Sequence, residues 1–322
     1  MEFDETQKVV HAPNMLVQLT TVSIYSSMLL RYPFYERTVA MLNCGASTIR
    51  KLSMNFMHLP QETWKRFLNS LTLPRLSDFD LTATVSFTDI RSFLRNHPSI
   101  ENLHLQGVEV PEEAWPPPRA SATIPILPHL TSITAHPLQL VWILDSLLLD
   151  KVASPYPINI TISLEYSYGT LVVSDFALFD LTLERIAALP RTICLNLSFM
   201  ATRNSDAYDW FEEHLAMTND GPKSSVISRL DNAISLNISL FGFETGWIVK
   251  VLPDWLGMLP NVTAIGFMGL LSTQKRKNKE FVRKVAMACQ AAGWLCMQGQ
   301  NVCLEEVRKD TEGGQRSEVD LL

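Results

Sequence analysis

The residues best placed to do chemistry in this chain are a pair of carboxylates, two imidazoles, a spaced trio of thiols and a run of cations. Asp78 and Asp80 flank Phe79. In a strand, that spacing puts both carboxylates on one face, as general acid and base catalysis requires when two environments hold the pKa values apart. No neighbouring feature of the sequence supplies such a difference, so a solvated strand face is the simpler expectation. His104 and His136 each follow an apolar anchor on neighbouring candidate strands, but two positions out of register, and each needs further ligands to hold a metal. Cys289, Cys296 and Cys303 recur every seven residues. With Cys44 and Cys194 they make an odd set of five without any Cys-x-x-Cys pair, which suits reduced, mostly buried thiols. Glu212-Glu213-His214 is expected on the polar side of a helix. There is no Gly-x-Ser-x-Gly elbow, Walker A loop, strand-linked Gly-x-Gly-x-x-Gly or His-Glu-x-x-His. Thirteen glycines in 322 residues are few for a chain built to cradle phosphates. No catalysis, cofactor or metal is expected.

The elements that carry these residues come from a folded chain. Hydrophobic residues make up 47% and charged residues 19%, enough apolar side chain to offset the conformational entropy of ordering. A formal charge of -6 gives no general attraction to phosphate backbones or anionic lipid. The one basic cluster, Lys275, Arg276, Lys277, Lys279, Arg283 and Lys284, shares its stretch with Phe281 and Val285 and is expected as a solvated helix face. Neither nucleic acid nor membrane is an expected partner. The first residues are acidic without an apolar core, and no apolar run reaches the roughly 18 residues of a membrane span. These features place the chain in the cytoplasm, or in the nucleus where the basic cluster serves import.

A short phrase recurs nine times: an apolar residue, two others, an apolar residue, one other, then an apolar residue. Its middle anchors are Val22, Leu52, Phe79, Leu103, Ile133, Ile160, Leu195, Leu236 and Ile265, separated by 24 to 41 residues. The first position is degenerate at Pro157, Thr192 and Ala233. A helix-like stretch precedes most copies, with apolar spacing of three to four: Trp64, Phe67, Leu68 and Leu71; Ile90, Phe93 and Leu94; Leu140, Ile143, Leu144 and Leu147; Trp247, Val251, Trp255 and Leu259. Residues 206 to 217 and 273 to 293 are further helices by the same reading. Leu-Pro stands at the junctions Leu73-Pro74, Leu127-Pro128, Leu189-Pro190 and Leu259-Pro260, with His97-Pro98 as a variant. Proline ends the helix there, because it lacks an amide hydrogen and disfavours helical geometry in the residue before it.

One unit of helix, turn and strand cannot bury its apolar faces, whereas stacked units can. The expected fold is therefore α/β: an irregular leucine-rich-repeat-like solenoid with a parallel sheet on the concave side and helices on the convex side. Boundaries follow from composition: a flexible 1–14, a single solenoid over 15–307 with loop insertions near 111–123 and 218–228, and a disordered tail over 308–322. Residues 294 to 297 form a candidate last strand. Strand alternation as in Leu195-Asn196-Leu197-Ser198-Phe199 turns the polar residues away from the helices. It also accounts for the Asn-x-Ser/Thr patterns at Asn159, Asn196, Asn237 and Asn261. The residue between the last two anchors of each phrase should form a ladder, Ser53, Asp80, His104, Thr134, Thr161, Asn196, Asn237 and Gly266, and this ladder is the expected binding face.

The phrases Cys44-Gly45-Ala46-Ser47-Thr48-Ile49-Arg50-Lys51-Leu52-Ser53-Met54, Phe93-Leu94-Arg95-Asn96-His97-Pro98-Ser99-Ile100-Glu101-Asn102-Leu103-His104-Leu105 and Leu127-Pro128-His129-Leu130-Thr131-Ser132-Ile133 resemble the repeat region of fungal F-box-type proteins of mushroom-forming species. The resemblance spans roughly residues 15 to 300. It implies a protein-binding module that holds the target of a ubiquitin ligase. A Skp-type adaptor is an expected partner only where an F-box lies upstream, because the first residues hold no Leu-Pro-x-Glu-led helical box. The alternative is a stand-alone scaffolding repeat protein with no ubiquitin link.

Overall fold

The computed structural model describes residues 19–55, 58–107, 127–147, 156–163, 166–167, 170–171, 175–201, 206–218, 221, 224–269 and 275–312. The expected insertion at 111–123 lies outside them, as do the N-terminal segment and the last ten residues.

Strand and helix alternate along the chain. Helix α1 (Tyr35–Cys44) joins β1 (Thr21–Ile24) to β2 (Lys51–Asn55), α2 (Gln61–Ser70) leads to β3 (Asp78–Thr82), and α3 (Phe87–Asn96) leads to β4 (Asn102–Gln106). Next come β5 (Ser132–Ala135), α4 (Pro137–Leu147) and β6 (Ile158–Ile162), then a small hairpin of β7 (Tyr166–Ser167) and β8 (Thr170–Leu171). The second half runs through α5 (Phe176–Ala187), β9 (Ile193–Met200), α6 (Ala207–Met217), β10 (Ala233–Phe241), α7 (Thr245–Gly257), β11 (Ala264–Gly269) and α8 (Lys275–Ala288). It closes with β12 (Trp294–Met297), β13 (Gln300–Cys303) and α9 (Leu304–Glu312).

Among the described residues, all strands but β7 and β8 join one open sheet of eleven, in chain order from β1 to β13 and parallel up to β12. Each unit therefore neighbours only the units before and after it in sequence, as stacking requires. The nine anchors found by pattern form a single cross-strand row, from Val22 through Leu52, Phe79, Leu103, Ile133, Ile160, Leu195 and Leu236 to Ile265, and Leu295 adds a tenth. A slip of one residue would turn a strand's apolar set outward, so burial opposes any change of this register. Inward strand rings meet helix rings directly: Phe79 lies 4.6 Å from Phe93, Phe199 5.4 Å from Trp210, and Phe267 5.1 Å from Phe281.

The junctions repeat as well. The amides of Leu76, Ile100 and Leu130 bond back to the carbonyls of Leu73, His97 and Leu127, closing four-residue turns with proline second. The carbonyls of Thr20, Arg50, Ser77 and Glu101 each accept two amides from the following unit. At His97 the proline junction carries an imidazole in place of leucine. It is buried; its Nε2 accepts the Leu73 amide at 3.1 Å, and Nδ1 lies 2.8 Å from the Phe93 carbonyl. This pairing requires the neutral ring with its hydrogen on Nδ1. Burial pushes the His97 imidazole below its ordinary value of 6.5, and the bond to Phe93 offsets part of that. The unfolded chain thus binds a proton that the fold excludes, so His97 contributes stability above pH 6.5 that is lost as pH falls through the lowered value. Denaturant midpoints at pH 7.5 and 5.5 should differ more in the wild type than in His97→Leu.

Several expectations need correction. Pro157 is only half-buried and Thr192 is exposed; the inward positions belong to Ile158 and Ile193, one residue later. The sheet is not parallel throughout, because β13 pairs antiparallel with β12. The fold also continues past residue 307: α9 runs to Glu312, and the Arg308 guanidinium donates to the carbonyls of Ala286, Cys289 and Ala292. These carbonyls lie at and beyond the α8 C-terminus, where a cation is favoured. Within 218–228, Ser225, Val226 and Ile227 are buried, so the later part of the expected loop belongs to the core.

Candidate functional site

The sheet face opposite the helices carries the expected ladder, and the structure brings all of it into one row. Ser53 pairs in register with Asp80, then His104, Thr134, Thr161, Asn196, Asn237 and Gly266, and Cys296 follows. Most of these side chains are partly exposed, while Ser53 is covered, 4% exposed.

Asp80 is the centre of the N-terminal half. Its Oδ2 accepts from the Ser53 hydroxyl at 2.9 Å, and His104 Nδ1 lies 3.1 Å from its Oδ1. Asn55 Nδ2 donates to Ser53 Oγ at 3.0 Å. The His104 hydrogen bond holds the Asp80 carboxyl below its ordinary range against the opposing effect of burial, and the Ser53 bond adds to it. Ser53, Asp80 and His104 are the residue types of an acyl-transfer triad, but in the wrong order. The carboxylate stands between hydroxyl and imidazole, so the hydroxyl meets no imidazole, only a carboxylate held below its ordinary range and therefore a weak base. Beside this cluster, Asp78 Oδ1 accepts from Asn102 Nδ2 at 3.0 Å. Lys51, Asp78, Asp80, Asn102, His104, Ser132 and Thr134 rim an open depression of about 200 Å³.

In the C-terminal half the ladder is uncharged. Asn237 Nδ2 donates to Asn196 Oδ1 at 2.7 Å. The Asn237 amide lies over Gly266, where an added Cβ would come within 2.0 Å of its oxygen. Gly266→Ala should therefore swing Asn237 off the row and break its bond to Asn196. A crystal structure of the variant checks this directly, and because Asn237 is exposed, the cost should stay near the roughly 1 kcal/mol of one hydrogen bond. Sequence reasoning missed the large apolar side chains on this face: Phe241 is 45% exposed, Met268 63% and Trp294 56%. Alternation could have found them, since each directly follows or precedes an inward residue, Leu240, Phe267 and Leu295.

The other chemical candidates resolve differently. His214 is not on the polar side of α6 but 2% exposed. Its Nε2 lies 3.1 Å from Asp180 Oδ1, its Nδ1 2.8 Å from Ser225 Oγ, and Ser225 accepts the Ile227 amide at 3.2 Å. Here the imidazole does stand between hydroxyl and carboxylate. Ser225, however, is 1% exposed, so no substrate carbonyl can approach its hydroxyl, and the chain of bonds acts as a brace between α5, α6 and the segment before β10. His136 accepts the Leu138 amide at 3.4 Å at the start of α4, away from His104. The thiols are not mostly buried as expected: Cys44 and Cys296 are exposed and Cys194 and Cys303 half-buried, while Cys289 is buried, which pushes its thiol up to about 12, too high for a nucleophile at neutral pH. The basic cluster forms the first turns of α8, where Lys284 pairs with Glu280 at 3.1 Å. Among the described residues, no group of His, Cys, Asp or Glu could hold a metal ion, and no helix is long and apolar enough to cross a membrane.

Compared with known protein-family models and with curated proteins, the chain matches none.

Proposed function

We propose that this chain is a non-enzymatic recognition module, a repeat solenoid of the leucine-rich kind that binds another protein across the open face of its sheet. One observation carries the reading: a continuous cross-strand row of polar side chains, from Ser53 to Asn237, is backed by the apolar anchor row and flanked by exposed Phe241, Met268 and Trp294. A rigid polar surface with a few large apolar residues is the make-up of a protein-binding patch. The resemblance of the repeat phrases to fungal F-box-type proteins supports a narrower form of the proposal, the target-holding part of a ubiquitin-ligase receptor.

Photo-crosslinking tests the binding face. A crosslinking residue at Thr161 or Asn196 should join the chain to a protein partner in its native cells, whereas one at Lys65, exposed on α2, should not. Adducts from Lys65 with none from the ladder would overturn the proposal.

A further inference from the structure

The open face is polarised, and its two ends ask for different things from a partner. Every charged side chain that its strands present lies on β2 to β4: Lys51, Asp78, Asp80 and, when protonated, His104. Among the described residues, the strands from β5 to β13 present none. With His104 neutral, two carboxylates outweigh one ammonium around the depression, so a partner cation is attracted there and a partner anion repelled. At the other end, Ala264 and Gly266 form a low floor on β11, with Trp294 on the neighbouring strand at one end and Met268 at the other. Trp and Met exposed around a small-residue floor suit a large apolar side chain laid between them.

Resting on the reading that this face binds protein, we infer that the bound segment is extended, crosses the strands, and carries a cationic side chain over Asp78 and Asp80 and a large apolar one beside Trp294 and Met268. The distance is set by the sheet. From β3 to β11 there are six strand spacings of about 4.8 Å, roughly 29 Å, which about nine extended residues span. The uncharged rungs between them offer hydrogen bonds and no competing charge. Nucleic acid does not fit, because phosphates would meet the carboxylates and find no cation from β5 onward.

A phage-displayed library of random dodecapeptides, panned against the full chain, tests this. The selected peptides should pair Lys or Arg with an aromatic or large aliphatic residue about eight to ten positions away. Their affinity should fall at least tenfold in Trp294→Ala. Asp78→Asn combined with Asp80→Asn, or Asp78→Asn alone should the double variant fold poorly, should abolish the preference for a cation and most of the salt dependence. Peptides that lose binding in Asn196→Arg but show no such pairing would overturn this inference and leave the recognition face standing. Peptides indifferent to every substitution on the face would overturn both. An empty selection would overturn the extended partner.

Discussion

Leu195→Asp is expected to abolish the cooperative melt, while Asn196→Asp, the same charge one residue along, leaves it nearly unchanged. Leu195 is 1% exposed at the centre of the anchor row, with Ile160 on one side and Leu236 on the other. An aspartate there has no cation within the apolar core to pair with, and burial of an unpaired carboxylate belongs to the mechanisms that cost about 4–5 kcal/mol or more. That is a large share of the roughly 5–15 kcal/mol that holds a domain folded. Asn196 faces the other way, and an aspartate oxygen there can still accept the Asn237 amide. Circular dichroism melts of the two variants check the assignment of the faces: equal melts would contradict it.

Trp210→Ala should cost about 3–5 kcal/mol, the range for a large aromatic truncated in a core. The longest step between anchors, from Leu195 to Leu236, is filled by an aromatic cluster with Trp210 at its centre. Its ring lies within 6 Å of Phe176, Phe179, Phe199, Phe211 and Trp255. Its indole N–H donates to Asp180 at 2.9 Å, the same oxygen that His214 approaches. Truncation removes the packing and leaves Asp180 to His214 alone. Trp210→Phe keeps most ring contacts and loses one hydrogen bond to a charged acceptor, about 1.5–3 kcal/mol. Guanidinium denaturation should thus rank wild type above Trp210→Phe above Trp210→Ala; a Phe variant as unstable as the Ala variant would show that the bond to Asp180, not the packing, dominates.

What pattern could show and what it could not follow from where each partner comes from. The anchors were legible because burial enforces both the period of two within a strand and the helix-to-strand period between strands, and a register error would expose a whole apolar face. Pro157 and Thr192 went wrong by one residue because β6 and β9 begin with an additional inward residue, Ile158 and Ile193, that the short phrase does not include. His214 was misplaced although its spacing held the signal: Ala207, Trp210, Phe211 and His214 share one buried stripe of α6. Its partner Asp180 stands 34 residues away on α5, and no local pattern points to it. The closing elements were hidden for a different reason. β13 and α9 are largely polar, and α9 is tied down by Arg308 to backbone carbonyls, which leave no trace in residue type. The ladder was legible residue by residue, but its polarity, with charge at one end and Phe241, Met268 and Trp294 at the other, needed the strand order to become visible.

The most direct test of recognition across this face is the affinity of Thr161→Arg combined with Asn196→Arg for the partner recovered by crosslinking, measured alongside the thermal melt. Two long cations in the middle of the open row should leave the melt unchanged, because both side chains point away from the core, and should weaken binding at least tenfold. An unchanged melt with unchanged affinity would contradict the account and move the binding site elsewhere on the molecule.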